Sequence, residues 1–206
     1  MKKIFCTMIL LTMLAFQNIC GAMEIEPANY NGTFDYNYPV VKTGNAHVDS
    51  MINEKILERV KDFFSASSQP PNSITSIVNY RITCSKKNIL SITLLCSHYN
   101  EGAAHPSNYK AALNFDTRTG KLLGLGDLKK ISSEYAKAEY SPKGITKKLL
   151  AYAKKNEIYL FPEFKGLESL PENFYFDENF HLHFIFQEYD VAPYAAGIID
   201  LDATLD

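Results

Sequence analysis

Tryptophan is absent, so the 13% of aromatic residues are all Phe and Tyr. An excess of base is also missing. There are 21 Lys and Arg against 23 Asp and Glu, a net charge of −2. That argues against a nucleic-acid or anionic-membrane partner, which would want a basic patch. After Phe16 no apolar run approaches the roughly 20 residues needed to cross a bilayer. Internal repeats, low-complexity tracts, Gly-rich phosphate cradles and zinc-type Cys/His spacings are lacking too. No Ser or Cys sits in a nucleophile-elbow setting.

What is present begins with Met1-Lys2-Lys3, an apolar run from Ile4 to Phe16, and Gln17-Asn18-Ile19-Cys20-Gly21-Ala22-Met23. A short basic segment, an apolar core and small residues before a cut make a secretory signal. Residues 1–22 are therefore expected to be a cleaved leader, with Cys20 and Ala22 as the small side chains before the cut. The alternative is a lipidated start at Cys20, to which Gln17-Asn18-Ile19 is a poor prelude. Cleavage removes two of the 21 basic side chains, so the net charge moves from −2 to −4. The expected product is extracytoplasmic, periplasmic or secreted, without a membrane span.

Residues 23–35 are polar and turn-rich and read as a loose lead-in. Tyr38-Pro39-Val40-Val41 reads as a short edge strand, where proline is tolerated. From Asn45, Val48, Ile52, Ile56, Val60 and Phe63/Phe64 recur at helical spacing and form one buried stripe. A linker follows over 65–73. Alternation then predicts a hairpin, 78–84 with 90–96. Its register pairs Val78 with Cys96, Tyr80 with Leu94, Ile82 with Ile92 and Cys84 with Leu90, around a loop Lys86-Lys87-Asn88. A second hairpin runs from Tyr109 to Phe115, turns over 116–120 and returns over 121–125. Asp127 is placed to cap a helix with the stripe Leu128, Ile131, Tyr135 and Ala138. Ser141-Pro142 opens another, with Ile145, Leu149 and Tyr152 inward. A third hairpin, 174–176 with 180–186, and a strand over 196–201 close the chain. Hairpins dominate, so the class is α+β: a mainly antiparallel sheet with three to four packed helices in two tightly joined lobes.

Export makes a disulfide between Cys84 and Cys96 the natural expectation. The register opposes it. Cys96 stands opposite Val78, six residues from Cys84, or about 20 Å along a strand. A disulfide needs Cα atoms within about 7 Å. Both are read as buried thiols on the inner face.

His181-x-His183 sets two imidazoles on one strand face, within reach of one metal, but a metal site needs further ligands. The plainer reading is the polar face of a half-covered sheet. His98, Tyr99, Glu101 and His105 cluster around the 99–106 loop, where a histidine and a carboxylate suit acid–base work. The plainer reading is a structural loop. Glu188, Tyr189, Asp190, Pro193 and Tyr194 populate the 188–197 loop, which suits either recognition or packing on a sheet edge. Asn31-Gly32-Thr33 matches a glycosylation acceptor and is read as chance.

Several motifs share one pattern: the 99–106 loop, Asn114-Phe115-Asp116-x-x-Thr119-Gly120-Lys121-x-x-x-Leu125-x-Asp127-Leu128, and Ala192-Pro193-Tyr194-Ala195-x-Gly197. Together they resemble domain-of-unknown-function family 3298. The Tyr38-Pro39 strand, the Asn53-centred helix and Leu90-Ser91-Ile92 resemble the family 4163 lobe that often precedes it. The resemblance spans about residues 36–203, with lobes expected at 36–100 and 101–206. Gly102-Ala103-Ala104-His105 departs from the family's Gly-Gly-Ala-His by an alanine at the second glycine. The resemblance implies an extracytoplasmic module, found in relatives as the outer part of lysozyme-binding anti-sigma regulators and beside polysaccharide deacetylases. With neither a transmitter segment nor a deacetylase domain expected here, what remains is the binding module.

The leading expectation is a non-catalytic exported protein that binds a lysozyme-like muramidase or peptidoglycan glycan. Tyr99, Glu101, His105, Glu188, Tyr189, Asp190, Pro193 and Tyr194 form its candidate surface, with no cofactor. The alternative is a cell-wall hydrolase using His105, or the His181/His183 pair, with Glu101 or Glu188. A third reading is a structural envelope protein.

Overall fold

A computed structural model describes residues 23–30, 35–67 and 73–204. The expected leader, the Asn31-Gly32-Thr33 triplet and the centre of the 65–73 linker lie outside the described residues. Strands β1 (Glu24–Tyr30), β2 (Asp35–Lys42), β3 (Ser73–Lys86), β4 (Ile89–Asn100) and β5 (Ser107–Asp116) form one sheet in sequence order. Only β2 and β3 run parallel, at Asp35–Ile77 and Tyr36–Val78. Strands β6 (Phe174–Phe176), β7 (Leu182–Phe186) and β8 (Ile199–Asp202) form a second, antiparallel sheet. Helix α1 (Ala46–Ser67) covers one face of the first sheet, and α2 (Leu128–Ile131) and α3 (Pro142–Lys155) belong to the second unit. The class is α+β.

Helix α1 forms because its apolar residues fall on one stripe. Val48, Ile52, Ile56, Val60 and Phe63 are buried against Val78, Leu90, Ile92, Leu94, Leu113 and Phe115. Each such side chain contributes roughly 1.5–3 kcal/mol on burial. Ser141 caps α3 by accepting from the Gly144 N–H at 3.1 Å, with Pro142 in the first turn. Ile145 and Leu149 are buried with Ala153, while Tyr152 is half-buried.

Residues 24–30 are not a loose lead-in. They pair with β2 from Glu24–Lys42 to Tyr30–Tyr36. No side chain of β1 is fully buried, so the alternation that would have marked the strand is missing. The edge position belongs to β1, and β2 lies second. Pro39 stands opposite Pro27. Two residues on, Val41 turns its N–H and C=O toward Asn53 of α1, both at 2.8 Å. Pro39, on the same side of β2 as Val41, therefore lacks its N–H where no strand would use it.

The first hairpin keeps its register from Val78–Cys96 through Ile82–Ile92, then slips at a bulge. Cys84 pairs with Ser91, Ser85 with Leu90 and Lys86 with Ile89. The loop is thus two residues, Lys87 and Asn88, both left-handed at φ 53° and 62°, as the tightest right-twisted hairpins require. One inserted residue turns the following side chains to the other face. Cys84 therefore enters the core of the second unit while Cys96 stays under α1. The expectation of both thiols on one inner face is corrected by the bulge; both are free and buried.

Strand β5 pairs along β4, so the first sheet runs past the expected lobe boundary at 100/101 to Asp116. The return of the second hairpin is a single bridge, Phe115–Leu122, plus the Leu123 N–H on the Asn114 carbonyl at 2.7 Å. Gly120 holds that turn at φ +74°, where a Cβ would lie 2.8 Å from the Met51 Cβ. Asp127 does not cap α2, because its own backbone is already helical, whereas a cap residue is extended. Its carboxylate instead meets Lys121 at 2.8 Å and the Gly124 N–H at 3.2 Å. Those bonds, Lys121 first, hold its pKa at about 2. The expected stripe breaks after Ile131, where Ser132 starts a 3-10 turn.

Phe174, Phe176, Leu182, Phe184, Phe186, Ile199 and Leu201 pack with Leu128, Tyr135, Ile145 and Leu149 into the second core. Two sets of polar groups join the sheets, the first buried and the second half-buried. Ser91 and Asn114 are 0% and 2% exposed. Ser91 Oγ donates to Asn114 Oδ1 at 2.6 Å and accepts from the Phe176 N–H at 3.2 Å. Asn114 Nδ2 donates to the Phe174 carbonyl at 2.6 Å. These side chains replace a neighbouring strand along the free edge of β6. Along the free edge of β5, Glu188 takes the Asn108 N–H at 3.1 Å, Gln187 the Lys110 N–H at 3.0 Å and Asn173 the Ala112 N–H at 2.8 Å. An unpaired edge that would otherwise recruit another chain is thereby closed.

Candidate binding surface and a buried charge network

The 99–106 loop links β4 to β5, and the 188–197 loop links β7 to β8. The side-chain contacts from Gln187 and Glu188 to β5 bring the two together. Glu188 also accepts from Asn108 Nδ2 at 2.7 Å, so it works as a fastener between loops. At the tips, His105 Nε2 lies 3.2 Å from the Tyr189 hydroxyl. Its ring stacks on Tyr194 with centroids 3.6 Å apart and planes 20° from parallel. Its Nδ1 lies 2.9 Å from the Pro106 carbonyl, which can only accept, so Nδ1 carries a hydrogen there. The Tyr189 and Tyr194 rings are 6.1 Å apart.

Local chemistry sets this geometry. Tyr99 donates to the Ala103 carbonyl at 3.0 Å and braces the first loop. Gly102 supplies the left-handed corner at φ 76°. Ala103 and Ala104 are not left-handed, so the alanine that replaces the resembling family's glycine bears no strain. In the second loop the Gln187 N–H donates to Asp190 Oδ2 at 2.6 Å and closes a turn. Tyr189 occupies the corner at φ 68° and is 55% exposed. That conformation costs an L-residue roughly 1–2 kcal/mol. Val191 and Ala192 anchor the loop in the core at 4% exposure each, and Pro193 starts the 3-10 turn that carries Tyr194. Glu101 is exposed on the rim.

The predicted residues thus fall into one surface, except that Glu188 and Asp190 are spent on internal bonds. His105 is bonded to Tyr189 and Pro106, and the hydrolase pairing of His105 with Glu188 is not formed.

The histidine pair lies elsewhere. His183 is on β7, and His181 belongs to the preceding turn. His183 Nδ1 is 3.0 Å from Asp200 Oδ1. Asp200 also accepts from Tyr175 at 2.9 Å and pairs with Lys110 of β5. Asp177 approaches both imidazoles at 3.6 Å, and Asp202 lies 3.7 Å from His181. Burial opposes charge on His183, but Asp200, Asp202 and Asp177 outweigh it and its pKa is raised. Burial likewise opposes ionisation of Asp200, yet bonds from His183, Lys110 and Tyr175 hold its pKa below the usual carboxylate value. Burial, with the Asp200 charge, raises the Tyr175 phenol. Among the described residues no group of three or more His, Cys, Asp or Glu is arranged to hold a metal ion. The site that sequence reasoning missed is therefore this network, whose members come from residues 110 to 202. Nothing in local spacing signals it. Of the clefts, one of about 370 Å³ is lined by Lys87, Glu134, Tyr135, Phe180 and His181.

The sequence family described as "Protein of unknown function (DUF3298)" matches over residues 122–203. That span contains most of the second core and the 188–197 loop, but not Cys84, Ile89 or His105. No curated protein matches the chain. A solved structure of a DUF3298 family member from Bacteroides fragilis NCTC 9343 is similar at a TM-score of 0.58 and 18% identity, over 89% of this chain and 90% of that one. Another, a DUF3298 family protein from Pseudomonas aeruginosa PAO1, is similar at 0.51 and 16%, over 88% and 89%. At these identities the likeness is one of fold.

Proposed function

We propose that this chain is an exported, non-catalytic binding module that uses the joined 99–106 and 188–197 loops to grip a cell-wall-related partner, a lysozyme-like muramidase or peptidoglycan glycan. The observation that carries the reading is the cluster of His105 with Tyr189 and Tyr194 at the loop tips. Braced aromatic rings offer large contact area at small entropic cost, the usual anchor of a recognition surface. Exposed Glu101 on the rim and a net negative charge favour a basic partner by steering its approach. The same reading takes residues 36–100 as a family 4163-like lobe that supports the surface.

The test is retention of the mature protein on immobilised lysozyme at low and moderate salt, beside sedimentation with purified peptidoglycan. Parent protein and Tyr189→Ala are compared. The expected result is retention in one assay, at least tenfold weaker for the variant, since losing one anchor typically costs 2 kcal/mol or more. No retention in either assay overturns the reading.

A second reading, a wall hydrolase, draws on the cleft of about 370 Å³ that Glu134 and His181 share. Release of soluble fragments from labelled peptidoglycan, lost in His181→Ala, would favour it over simple binding.

A further inference from the structure

Asp177 organises the turn between β6 and β7. Its Oδ1 accepts from the Asn179 N–H at 2.8 Å and the His181 N–H at 2.7 Å. Its Oδ2 lies 3.6 Å from His183 Nε2. That nitrogen is buried and, among the described residues, has no hydrogen-bond partner. On the other side of the ring, Nδ1 meets Asp200 of β8. Asp200 accepts only, so the neutral imidazole carries its hydrogen on Nδ1. Its Nε2 lone pair then faces the Asp177 carboxylate, which is repulsive.

The turn also holds strain. Phe180 sits at φ 69°, a conformation rare for a bulky side chain. Its carbonyl accepts from Tyr135 at 3.4 Å, and Lys87 lies 4.3 Å above its ring. The turn is therefore a strained segment in which the two bonds to the Asp177 carboxylate add to the Phe180 N–H on the Asp177 carbonyl and the Asp177 N–H on the His181 carbonyl, both at 2.9 Å, and to bonds from Tyr135 and Lys86.

We infer that His183 is a proton-operated latch: protonated, it bridges Asp200 to Asp177 and ties the β6–β7 turn to β8, and neutral, it holds Asp200 alone and lets the turn open. Protonation converts a lone pair facing an anion into an N–H facing it. Closing the gap to a charge-assisted bond of about 2.8 Å pulls Asp177 and the turn onto β7. The other titratable or charged groups around His183 are accounted for. The Tyr175 ring of β6 stacks on the imidazole at 4.7 Å, and its phenol stays neutral because burial raises it. Lys110 of β5 is paired with Asp200. Arg81 of β3 acts on Tyr175. Asp202, paired with His183 across β7 and β8 and 16% exposed, adds its charge to that of Asp177 in favouring protonated His183 and lies 3.7 Å from the more exposed His181. The turn forms one wall of the cleft that Phe180 and His181 line, so the latch sets the shape of that cleft.

The experiment is amide hydrogen exchange of Asn179, Phe180 and His181 at pH 5.5 and pH 8, corrected for intrinsic rates and run with a chelator. Side-chain nitrogen shifts of His183 are recorded on the same samples. Protection is expected to be at least about threefold greater at the lower pH, in the range of local rather than global opening. The step should vanish in His183→Gln, which keeps a donor for Asp200, and in Asp177→Asn, which keeps the turn acceptor. The neutral ring is expected to be protonated at Nδ1. An equal step in His183→Gln, a flat profile in the parent, or an Nε2-protonated neutral ring would each overturn the inference. Should a variant not fold, the shifts and exchange profile of the parent still decide.

Discussion

Replacing Asn114 tests how the two sheets are joined. Its amide serves two buried groups at once, the Ser91 hydroxyl and the Phe174 carbonyl, both at 2.6 Å. Asn114→Ala leaves the Ser91 hydroxyl hydrogen without an acceptor and the Phe174 carbonyl without its donor, in a site that is 2% exposed. A buried group stranded this way costs about 1–3 kcal/mol, so the expected loss is about 2–5 kcal/mol, a large part of a domain's typical stability of roughly 5–15 kcal/mol. Urea unfolding reads it directly. With a slope of about 2 kcal/mol per molar, the midpoint falls by about 1–2.5 M.

Asn114→Asp sharpens the point at almost unchanged volume. It keeps the acceptor for Ser91 but sets an anion against the Phe174 carbonyl. Burial and that repulsion raise the new carboxyl's folded pKa above its unfolded value near 4. The penalty is therefore full at pH 7 and shrinks as pH falls through the folded pKa, where the carboxylic acid can donate in place of the amide. A cost below about 0.5 kcal/mol for the alanine variant, the level of ordinary surface changes, would refute the junction. So would an aspartate variant that is no worse than alanine at pH 7.

Stability should depend on pH in a definite sense. His183 is raised, so its contribution is complete below about 6.5 and lost as pH climbs through its folded pKa. Asp177 and Asp200 are lowered, so theirs is complete above about 4 and lost as pH falls through their folded values. Urea midpoints across pH 3–9 should therefore peak between those limits, and a midpoint still rising at pH 9 would contradict this. The thiols of Cys84 and Cys96 are buried, and burial lifts Cys96 to about 11. In a chain of residues 23–206, which holds only these two cysteines, an aromatic disulfide reagent should find no thiol when folded and two after denaturation; prompt reaction in the folded state would contradict the packing. Gly120→Ala pays for a left-handed backbone and a 2.8 Å clash with Met51. It should lower stability by about 1–3 kcal/mol, and an unchanged urea midpoint would contradict the close approach of that turn to α1.

Short-range periodicity was enough for α1, α3, the β3–β4 pairing from Val78–Cys96 to Ile82–Ile92 and the β6–β7 hairpin, because each buries one stripe or one strand face against a neighbour close in sequence. It failed at β1, an edge strand with no fully buried residue to betray it. It failed again at the bulge before Cys84, since an inserted residue leaves composition and alternation nearly intact while reversing the face. In the candidate surface, the residue types suggested recognition, but their roles were divided only by contact. Tyr189 and Tyr194 frame His105, while Glu188 and Asp190 brace the loops. For His181 and His183 the spacing suggested shared ligation, whereas the fold surrounds them with Asp177, Asp200 and Asp202 as charge partners.

The sequence by itself determined the α+β class, the helix stripe and the β3–β4 and β6–β7 hairpins, all of which rest on burial read over a few residues. Tertiary structure decided what depends on distance along the chain. Ser91 and Asn114 became a buried junction, Asn173 and Gln187 became substitutes for a strand beside β5, and His183 gained carboxylates on both sides of its ring. A polar side chain carries no mark of which backbone it will meet 60 to 90 residues away. That is settled only when the second sheet docks and each buried donor must find an acceptor.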